Sequence, residues 1–240
     1  EHDGFVTPLS SHGPNDVNTS VLRPFGVWAV ISPFNFPLAL AGGPSIGALI
    51  TGNTVVVKPS NEGALMALEF HRVMMRAGLP EEALHIVTGG DEVGDRLAHH
   101  EDIDGLTFTG SYPVGMYLYR TVNEKRPKPV ACEMGGKNPV IVTASADLDV
   151  AAQGIARGAF GLSGQKCSAA SRVFVQKGVY AEFVNMVTQQ PVVRQVLPMQ
   201  TQEFETLLPL DTRELGRLVH LAATAESVVR ANAVWVRTPS

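Results

Sequence analysis

The chain has 240 residues, of which 45% are apolar and 18% are charged, a composition typical of a globular protein and unlike that of disordered or fibrous chains. Its formal net charge of −4 argues against nucleic acid or an anionic membrane surface as a partner, and its apolar runs are too short to span a membrane. The cysteines, Cys132 and Cys167, are too few for a disulfide framework and favour a reducing compartment, here expected to be the cytoplasm (or the mitochondrial matrix in a eukaryote).

Strands and helices are predicted to alternate along the chain. Residues 1–20 lack a sustained period and predict a loop or a short irregular hairpin, and a start at Glu1 instead of Met indicates a piece of a longer chain. Apolar and β-branched runs predict strands at residues 27–32, 54–57, 84–88, 106–109, 130–133 and 171–176. Helical spacing or small apolar composition predicts helices at residues 38–51, 63–77 and 91–100, and a further helix that begins within the segment GSYPVG, residues 110–115.

This alternation predicts an α/β fold with a parallel, Rossmann-like sheet and flanking helices, followed by part of a second α/β domain. In such sheets the chemistry gathers at the carboxyl ends of the strands. Polar residues or glycines directly follow or end the predicted strands at that edge: Asn35, Lys58, Gly110, Ser111 and Glu133. We therefore expect them to share one edge of the sheet.

Each of these residues also has a purely structural interpretation. Asn35, between two prolines, is either a turn former or an amide donor aimed at an oxyanion. Lys58 is either a solvated lysine or a contact to a ribose hydroxyl or phosphate. Glu133 is either a surface carboxylate or, if its strand end is buried, a general base. Cys132, one residue before it, points to the opposite face and is expected in the core.

The segment GSYPVG admits two interpretations as well. Ser111 suits a helix N-cap and Pro113 the first turn. The same helix start leaves backbone N–H groups that suit a dinucleotide phosphate. Its glycines, Gly110 and Gly115, do not follow the usual G-x-G-x-x-G spacing of dinucleotide-binding turns.

Cys167 lies in the small-residue turn GQKCSA, between a Gly-rich helical segment and the predicted strand at residues 171–176. Such a turn exposes the thiol, and the neighbouring Lys166 offers a positive charge that favours the thiolate. Free cysteines are more often small buried hydrophobes, so this turn alone leaves both interpretations open.

Seven segments in order carry a resemblance to a known family: PFGVWAVISPFNFPLAL, GNTVVVKPS, GLP…LHIVTGG, FTGSYPVG, EMGGKNPVIV, ADLD and GQKCSAASRVFV. They resemble successive blocks of the aldehyde dehydrogenase superfamily, from about residue 21 to residue 183. Within it, ISPFNFPLAL and GQKCSA followed by SR are most similar to the 1-pyrroline-5-carboxylate dehydrogenases, which oxidise L-glutamate γ-semialdehyde to glutamate in proline degradation.

The resemblance implies a role for each matching residue. Cys167 would be the nucleophile that forms a thiohemiacetal and then a thioester, Asn35 with the Cys167 N–H the oxyanion hole, and Glu133 the base for thioester hydrolysis. Phe36 and Ser168 would contact the substrate, a small-molecule aldehyde. The cofactor would be NAD, with NADP possible because Asn61 stands where many NAD-preferring relatives have Glu. Its contacts would be Ser32, Pro33, Phe34, Lys58, Ser60, Gly110, Ser111, Gly115 and Glu133, and no metal is implied.

The resemblance also predicts the domain organisation. Residues 1–134 would bind NAD(P), residues 135–186 would form a partial catalytic domain, and residues 187–240 stay unassigned, since we expect the similarity to stop after about residue 186. The family's E-x-F-G-P block is absent from this sequence, and so is its oligomerisation strand; a homo-oligomer is expected where the full family chain is present. Alternatives to the dehydrogenase are an incompetent nucleotide-binding or interaction module and a cofactor-independent thiol esterase.

Overall fold

A computed structural model describes residues 6–196. The chain divides into two compact units with the boundary between Met134 and Gly135, and each unit is described here by itself. The first unit opens with an antiparallel hairpin of β1 (Val6–Pro8) and β2 (Thr19–Val21). This hairpin agrees with the second of the two interpretations of residues 1–20.

The centre of the first unit is a five-stranded sheet in which every strand pair is parallel. The strand order is β5-β4-β3-β6-β7. The strands are β3 (Val27–Ser32), β4 (Thr54–Pro59), β5 (Leu84–Ile86), β6 (Gly105–Gly110) and β7 (Val130–Met134). β4 and β5 are added on one side of β3, and β6 and β7 on the other. The boundary between β3 and β6 is therefore the switch point at which doubly wound folds bind ligands.

Four helices cover the two faces of this sheet: α1 (Pro37–Ile50), α2 (Ala64–Arg76), α3 (Asp91–Ala98) and α4 (Tyr112–Thr121). Alternate residues of each strand supply the two cores, as the two-residue period of a strand requires. On one face Val30 packs with residues of α1 and α2 such as Phe70. On the other face Ala29 packs with residues of α3 and α4 such as Leu118. The predicted α/β fold with a parallel sheet and flanking helices is confirmed.

The amino-terminal edge of the sheet is braced by two polar side chains. Asn53 accepts hydrogen bonds from the backbone N–H groups of Phe25 and Gly26 (2.7 and 3.1 Å). Asp104 accepts one from Val27 N (2.9 Å) and pairs with Arg126 (3.0 Å). The Val27 N–H and the Arg126 guanidinium lower the pKa of the Asp104 carboxyl, against the raising effect of burial.

The second unit begins with a parallel pair of strands, β8 (Asn138–Val142) and β9 (Ala170–Val175), joined through α5 (Leu148–Phe160). Asp147 caps α5 by accepting a hydrogen bond from Val150 N (3.1 Å). The helices α6 (Tyr180–Gln189) and α7 (Pro191–Val196) follow. The core joins strands and helices through Val142, Ala152, Ile155, Val173, Val175 and Phe183.

Helix α6 runs through the boundary expected at residues 186 and 187, so the described part of the last predicted segment continues the second unit. The sequence also predicts helix-like patches after residue 186, such as residues 213–230, and this segment lies outside the described residues. Within residues 6–196 no helix is both long and apolar enough to cross a membrane.

Candidate active site

The parallel register aligns the predicted site residues of the first unit in two rows at the carboxyl edge of its sheet. Lys58 pairs with Ile31, which pairs on its other side with Phe108. One residue further along, Ser32 pairs with Pro59, and Glu133 pairs with Thr109. Ser32, Lys58, Gly110 and Glu133 therefore meet at one edge, as the alternation of strands and helices predicts.

Ser32 ends the central strand β3 and is 3% exposed. Its backbone oxygen accepts a hydrogen bond from Ser60 N (2.9 Å), whereas its Oγ is buried without a hydrogen-bond partner. Burying a hydroxyl without a hydrogen-bond partner destabilises the folded state. The position of Ser32 Oγ is therefore best explained by a ligand or a water molecule that forms a hydrogen bond with it.

Lys58 is 7% exposed, which overturns its interpretation as a solvated lysine. The side-chain carbons run past Gly94 of α3, where an added Cβ would lie 3.7 Å from Lys58 Cδ. Lys58 lines a cavity of about 380 Å³ whose other walls are the apolar side chains of β3, β6 and α4 and the acidic groups of α3. These lining residues are Ile31, Phe108, Val114, Leu118, Asp91, Glu92, Asp95 and Tyr117. An apolar floor with a few polar groups is typical of a site for a small organic ligand.

Tyr117 and the acidic residues of α3 were not singled out from the sequence. The Tyr117 hydroxyl donates a hydrogen bond to Asp95 Oδ1 (3.0 Å). This bond to a carboxylate raises the pKa of the Tyr117 hydroxyl. Tyr117 and Asp95 become neighbours because α3 and α4 lie on the same face of the sheet. The sequence could have predicted this pair only if the strand order had been known.

Ser60 and Ser111 both precede helical turns, but only Ser60 caps one. Ser60 Oγ accepts a hydrogen bond from Gly63 N (3.1 Å). Ser111 is exposed and occupies the N-cap position of α4, as its place in GSYPVG predicts, but its side chain makes no capping bond. Its hydroxyl lies at the positive end of the α4 dipole, where anions are favoured.

The glycines of GSYPVG are required by packing within the unit. A Cβ on Gly110 would lie 2.5 Å from the Phe108 ring, and one on Gly115 would lie 2.6 Å from Met134 Sδ. Gly110 therefore leaves room for the Phe108 ring within β6, and Gly115 lets α4 approach β6 and β7. A further role toward a pyrophosphate stays a prediction.

The turn from Pro33 to Pro37 carries Asn35 and two exposed phenylalanines, Phe34 and Phe36. Asn35 is half-buried. Phe36 precedes α1 with φ 48° and ψ 50°, a left-handed conformation that bulky residues rarely adopt. Strain of this kind concentrates at functional turns, and it agrees with the prediction that Asn35 and Phe36 serve the reaction.

Glu133 does not have the burial on which one interpretation of it depended. It is exposed, as is Ala131 on the same face of β7. The reason is that β7 is one of the two edge strands of the sheet, a position that the sequence order alone does not reveal. Cys132 faces the covered side and packs on the core that Ala29 forms with α3 and α4, and burial raises the pKa of its thiol.

Cys167 and Ser168 belong to the second unit and are both exposed. They are the two central residues of a β-turn that Ala169 N closes on Lys166 O (3.1 Å). Just before it, Leu162, Ser163 and Gly164 have φ values of 55°, 54° and 71°. The thiol is thus presented at the tip of a short turn that follows a strained segment.

The ammonium of Lys166 contacts the end of α5, and its expected effect on the Cys167 thiolate stays a prediction. Its Nζ donates to the carbonyl oxygen of Arg157 (3.5 Å), in the last turn of α5.

Ser168 lies at a cavity of about 410 Å³ that β8 and α5 line with small and apolar residues. No group of three or more His, Cys, Asp or Glu side chains arranged to hold a metal ion occurs among residues 6–196.

Comparison with known proteins decides the family. The sequence matches the aldehyde dehydrogenase family over residues 2–206. The chain belongs to the aldehyde dehydrogenase family. It is 43% identical over 188 residues to a 1-pyrroline-5-carboxylate dehydrogenase of Geobacillus thermodenitrificans, covering 76% of this chain and 36% of that protein. It is also 43% identical over 177 residues to a 2,5-dioxopentanoate dehydrogenase of Saccharolobus solfataricus, covering 73% and 37%.

Solved structures agree with this assignment. The crystal structure of an NAD-dependent aldehyde dehydrogenase from Sinorhizobium meliloti superposes with a TM-score of 0.72 at 36% identity, covering 76% of this chain and 36% of that one. This aldehyde dehydrogenase chain therefore spans about a third of the length of its relatives, and the expectation of a partial copy is confirmed. The match also reaches residue 206, so the expectation that similarity stops after about residue 186 is wrong.

Proposed function

We propose that this chain carries the chemistry of an NAD(P)-dependent aldehyde dehydrogenase, which oxidises an aldehyde to a carboxylic acid, with L-glutamate γ-semialdehyde as substrate. The observation that carries the proposal is the exposed Cys167 at the tip of its β-turn, within a chain of this family. The 1-pyrroline-5-carboxylate dehydrogenases among its relatives support the substrate.

Cys167 would act as the nucleophile. Its thiolate sulfur forms a bond to the aldehyde carbon, and the carbonyl electron pair moves onto oxygen to give a thiohemiacetal. The Asn35 amide and the Cys167 N–H would donate hydrogen bonds to that oxyanion, an effect worth about 3 kcal/mol for one donor. Loss of hydride from the same carbon leaves a thioester on Cys167.

Glu133 would complete the reaction as a general base. Its carboxylate takes a proton from water, the water oxygen adds to the thioester carbon, and the C–S bond breaks to release the acid and the thiolate. The exposure of Glu133 leaves it accessible to water.

The first unit contains groups that suit a nicotinamide dinucleotide. The unpartnered Ser32 Oγ, the buried Lys58 and the apolar cavity of about 380 Å³ fit a ligand with both ring and hydroxyl groups. Lys58 would bind the adenosine ribose and Ser111 the pyrophosphate. When bound, the dinucleotide supplies the acceptor for the hydride.

The test is NADH formation at the absorbance of the reduced nicotinamide, with glutamate semialdehyde and folded protein. We expect Cys167→Ala to abolish turnover, and Glu133→Gln to retain a single burst of NADH close to one per chain while steady-state turnover falls about 100-fold or more. Cys132→Ala is the matched control and should leave turnover unchanged, because that half-buried thiol packs against the core on the face of β7 opposite to Glu133. A Glu133→Gln variant with full turnover would contradict the base role. Folded wild type that binds NAD without turnover would favour the incompetent binding module.

A further inference from the structure

We propose that Asn138 is a positioning residue for Cys167, because its side-chain amide fixes the central peptide group of the β-turn that carries the thiol. The catalytic consequence of this inference rests on the proposed function, whereas its structural part does not. All of the groups concerned lie in the second unit.

The two N–H bonds of the Asn138 amide are both used on this turn. Asn138 Nδ2 donates to the carbonyl oxygen of Cys167 at 2.7 Å and to that of Ala169 at 3.1 Å. The amide orientation is fixed by these partners, because the opposite orientation would aim Oδ1 at two acceptors. One side chain thereby holds the carbonyls on both sides of Ser168.

The first of these carbonyls belongs to the central peptide of the turn. Cys167 and Ser168 are the central residues, and Ala169 N closes the turn on Lys166 O. In a β-turn this peptide can rotate while the closing bond persists, which separates type I from type II geometry. A hydrogen bond to the Cys167 carbonyl selects one orientation, and with it the direction in which this carbonyl and the Ser168 N–H point beside the thiol.

The sheet places Asn138 where it can do this. β8 and β9 pair with an irregularity between Asn138 and Pro139, so that Asn138 pairs with Ala170 and Pro139 with Arg172. Such a bulge changes the direction in which a side chain is presented. Asn138 is thus aligned with the first residue of β9, directly after the cysteine turn.

A glycine keeps this contact short. A Cβ on Gly136 would lie 3.1 Å from both Asn138 Oδ1 and the Cys167 carbonyl oxygen. A side chain there would push the amide and the turn apart without removing either bonding group. The neighbouring Gly135 has open space for a Cβ within the part of the chain that the structure describes, which makes it a matched control.

The first measurement is amide hydrogen exchange on the full chain. We expect Asn138→Ala and Asn138→Asp to raise the exchange rate of the Ala169 amide about tenfold. Each variant loses both bonds that hold the turn to β8, so the whole turn opens more often, and aspartate keeps the side-chain volume. Gln176→Ala is the control: Gln176 Oε1 accepts from Ala144 N at 2.7 Å in the same unit, so exchange should rise at Ala144 only. Gly136→Ala should act as Asn138→Ala does, and Gly135→Ala should not.

The second measurement is the reactivity of the Cys167 thiol, which can be determined whether or not the protein turns over substrate. The rate of Cys167 alkylation by iodoacetamide, with Cys132 as internal reference, should fall about threefold or more in both Asn138 variants, because fewer molecules hold the reactive turn. Where the wild type turns over, kcat should fall with KM unchanged. Unchanged alkylation in both Asn138 variants, or full protection of Ala169 in Asn138→Asp, would overturn the proposal; absent turnover in the wild type would instead bear on the proposed function alone.

Discussion

At the scale of single residues, Asp104 joins the amino-terminal edge of the sheet to the segment that precedes β7. Its carboxylate accepts from Val27 N and pairs with Arg126. Arg126 also donates to the backbone oxygens of Glu101 and Ile103 (3.0 and 2.9 Å). The charge on Asp104 therefore stabilises three stretches of chain at once.

This arrangement predicts a pH dependence of stability. The pKa of Asp104 is lower in the folded state, chiefly because of the Val27 N–H, so its contribution is present above the unfolded pKa of about 3.9 and is lost as the pH falls through the folded value. Asp104→Asn should lower the free energy of unfolding by about 1 kcal/mol near neutral pH. Urea unfolding of both proteins should show this difference shrinking below about pH 4. A difference that grows with acidity would contradict the assignment.

The sequence located individual residues better than it located their surroundings. Lys58 was correctly placed beside a strand end, yet its burial depends on Gly94, which packs over it only once α3 lies on that face. For Glu133 the sequence left both a surface position and a buried strand end open, because burial there depends on whether β7 is central or at an edge of the sheet. Asn138 was not singled out, because its partners become neighbours only through the β8–β9 pairing.

At the scale of the elements, β3 and β6 meet through a tight contact of a large residue with a glycine. Gly105 pairs with Trp28, and an added Cβ there would lie 2.2 Å from the indole ring. Trp28 Nε1 also donates to Thr107 Oγ1 (2.8 Å), which holds the ring in place. The indole cannot move aside without losing this bond.

Gly105→Ala should therefore destabilise the first unit by about 2 to 3 kcal/mol, since extra volume in a packed core costs that much. The control is Gly94→Ala, also at a buried glycine, where the added Cβ meets Lys58 at an ordinary 3.7 Å. That change should be neutral or stabilising by up to about 1 kcal/mol, because alanine favours a helix. Midpoints of chemical denaturation compare the two. Equal losses of unfolding free energy in Gly105→Ala and Gly94→Ala would contradict the prediction that the contact with the Trp28 indole causes the destabilisation.

Element boundaries followed the local patterns closely where the patterns were unambiguous. Residues 27–32 form the strand that their continuous apolar run predicts. β4 extends to Pro59, beyond the predicted end at residue 57, because Lys58 and Pro59 are buried by neighbours that the local sequence does not show. β5 is shorter than predicted and ends at Ile86, since it pairs only with β4.

At the scale of the whole chain, the two units have separate cores, and core substitutions should act locally. Phe70 is 6% exposed in the first unit and Phe183 is 2% exposed in the second. Each change to alanine should cost about 3 kcal/mol. Hydrogen exchange should show the loss in β3 and β4 for Phe70→Ala and in β9 for Phe183→Ala. A uniform loss in both units after either change would mean that they unfold as one.

The division between Met134 and Gly135 also bears on how the protein is made. All five strands of the first sheet come from the continuous stretch of residues 27–134, and domains tend to fold as units during synthesis. The first unit can therefore complete its sheet before Cys167 has emerged from the ribosome. The Cys167 thiol would then leave the ribosome after the strands of that sheet have paired, which limits the time during which unpaired strand edges and the thiol are exposed together in a nascent chain.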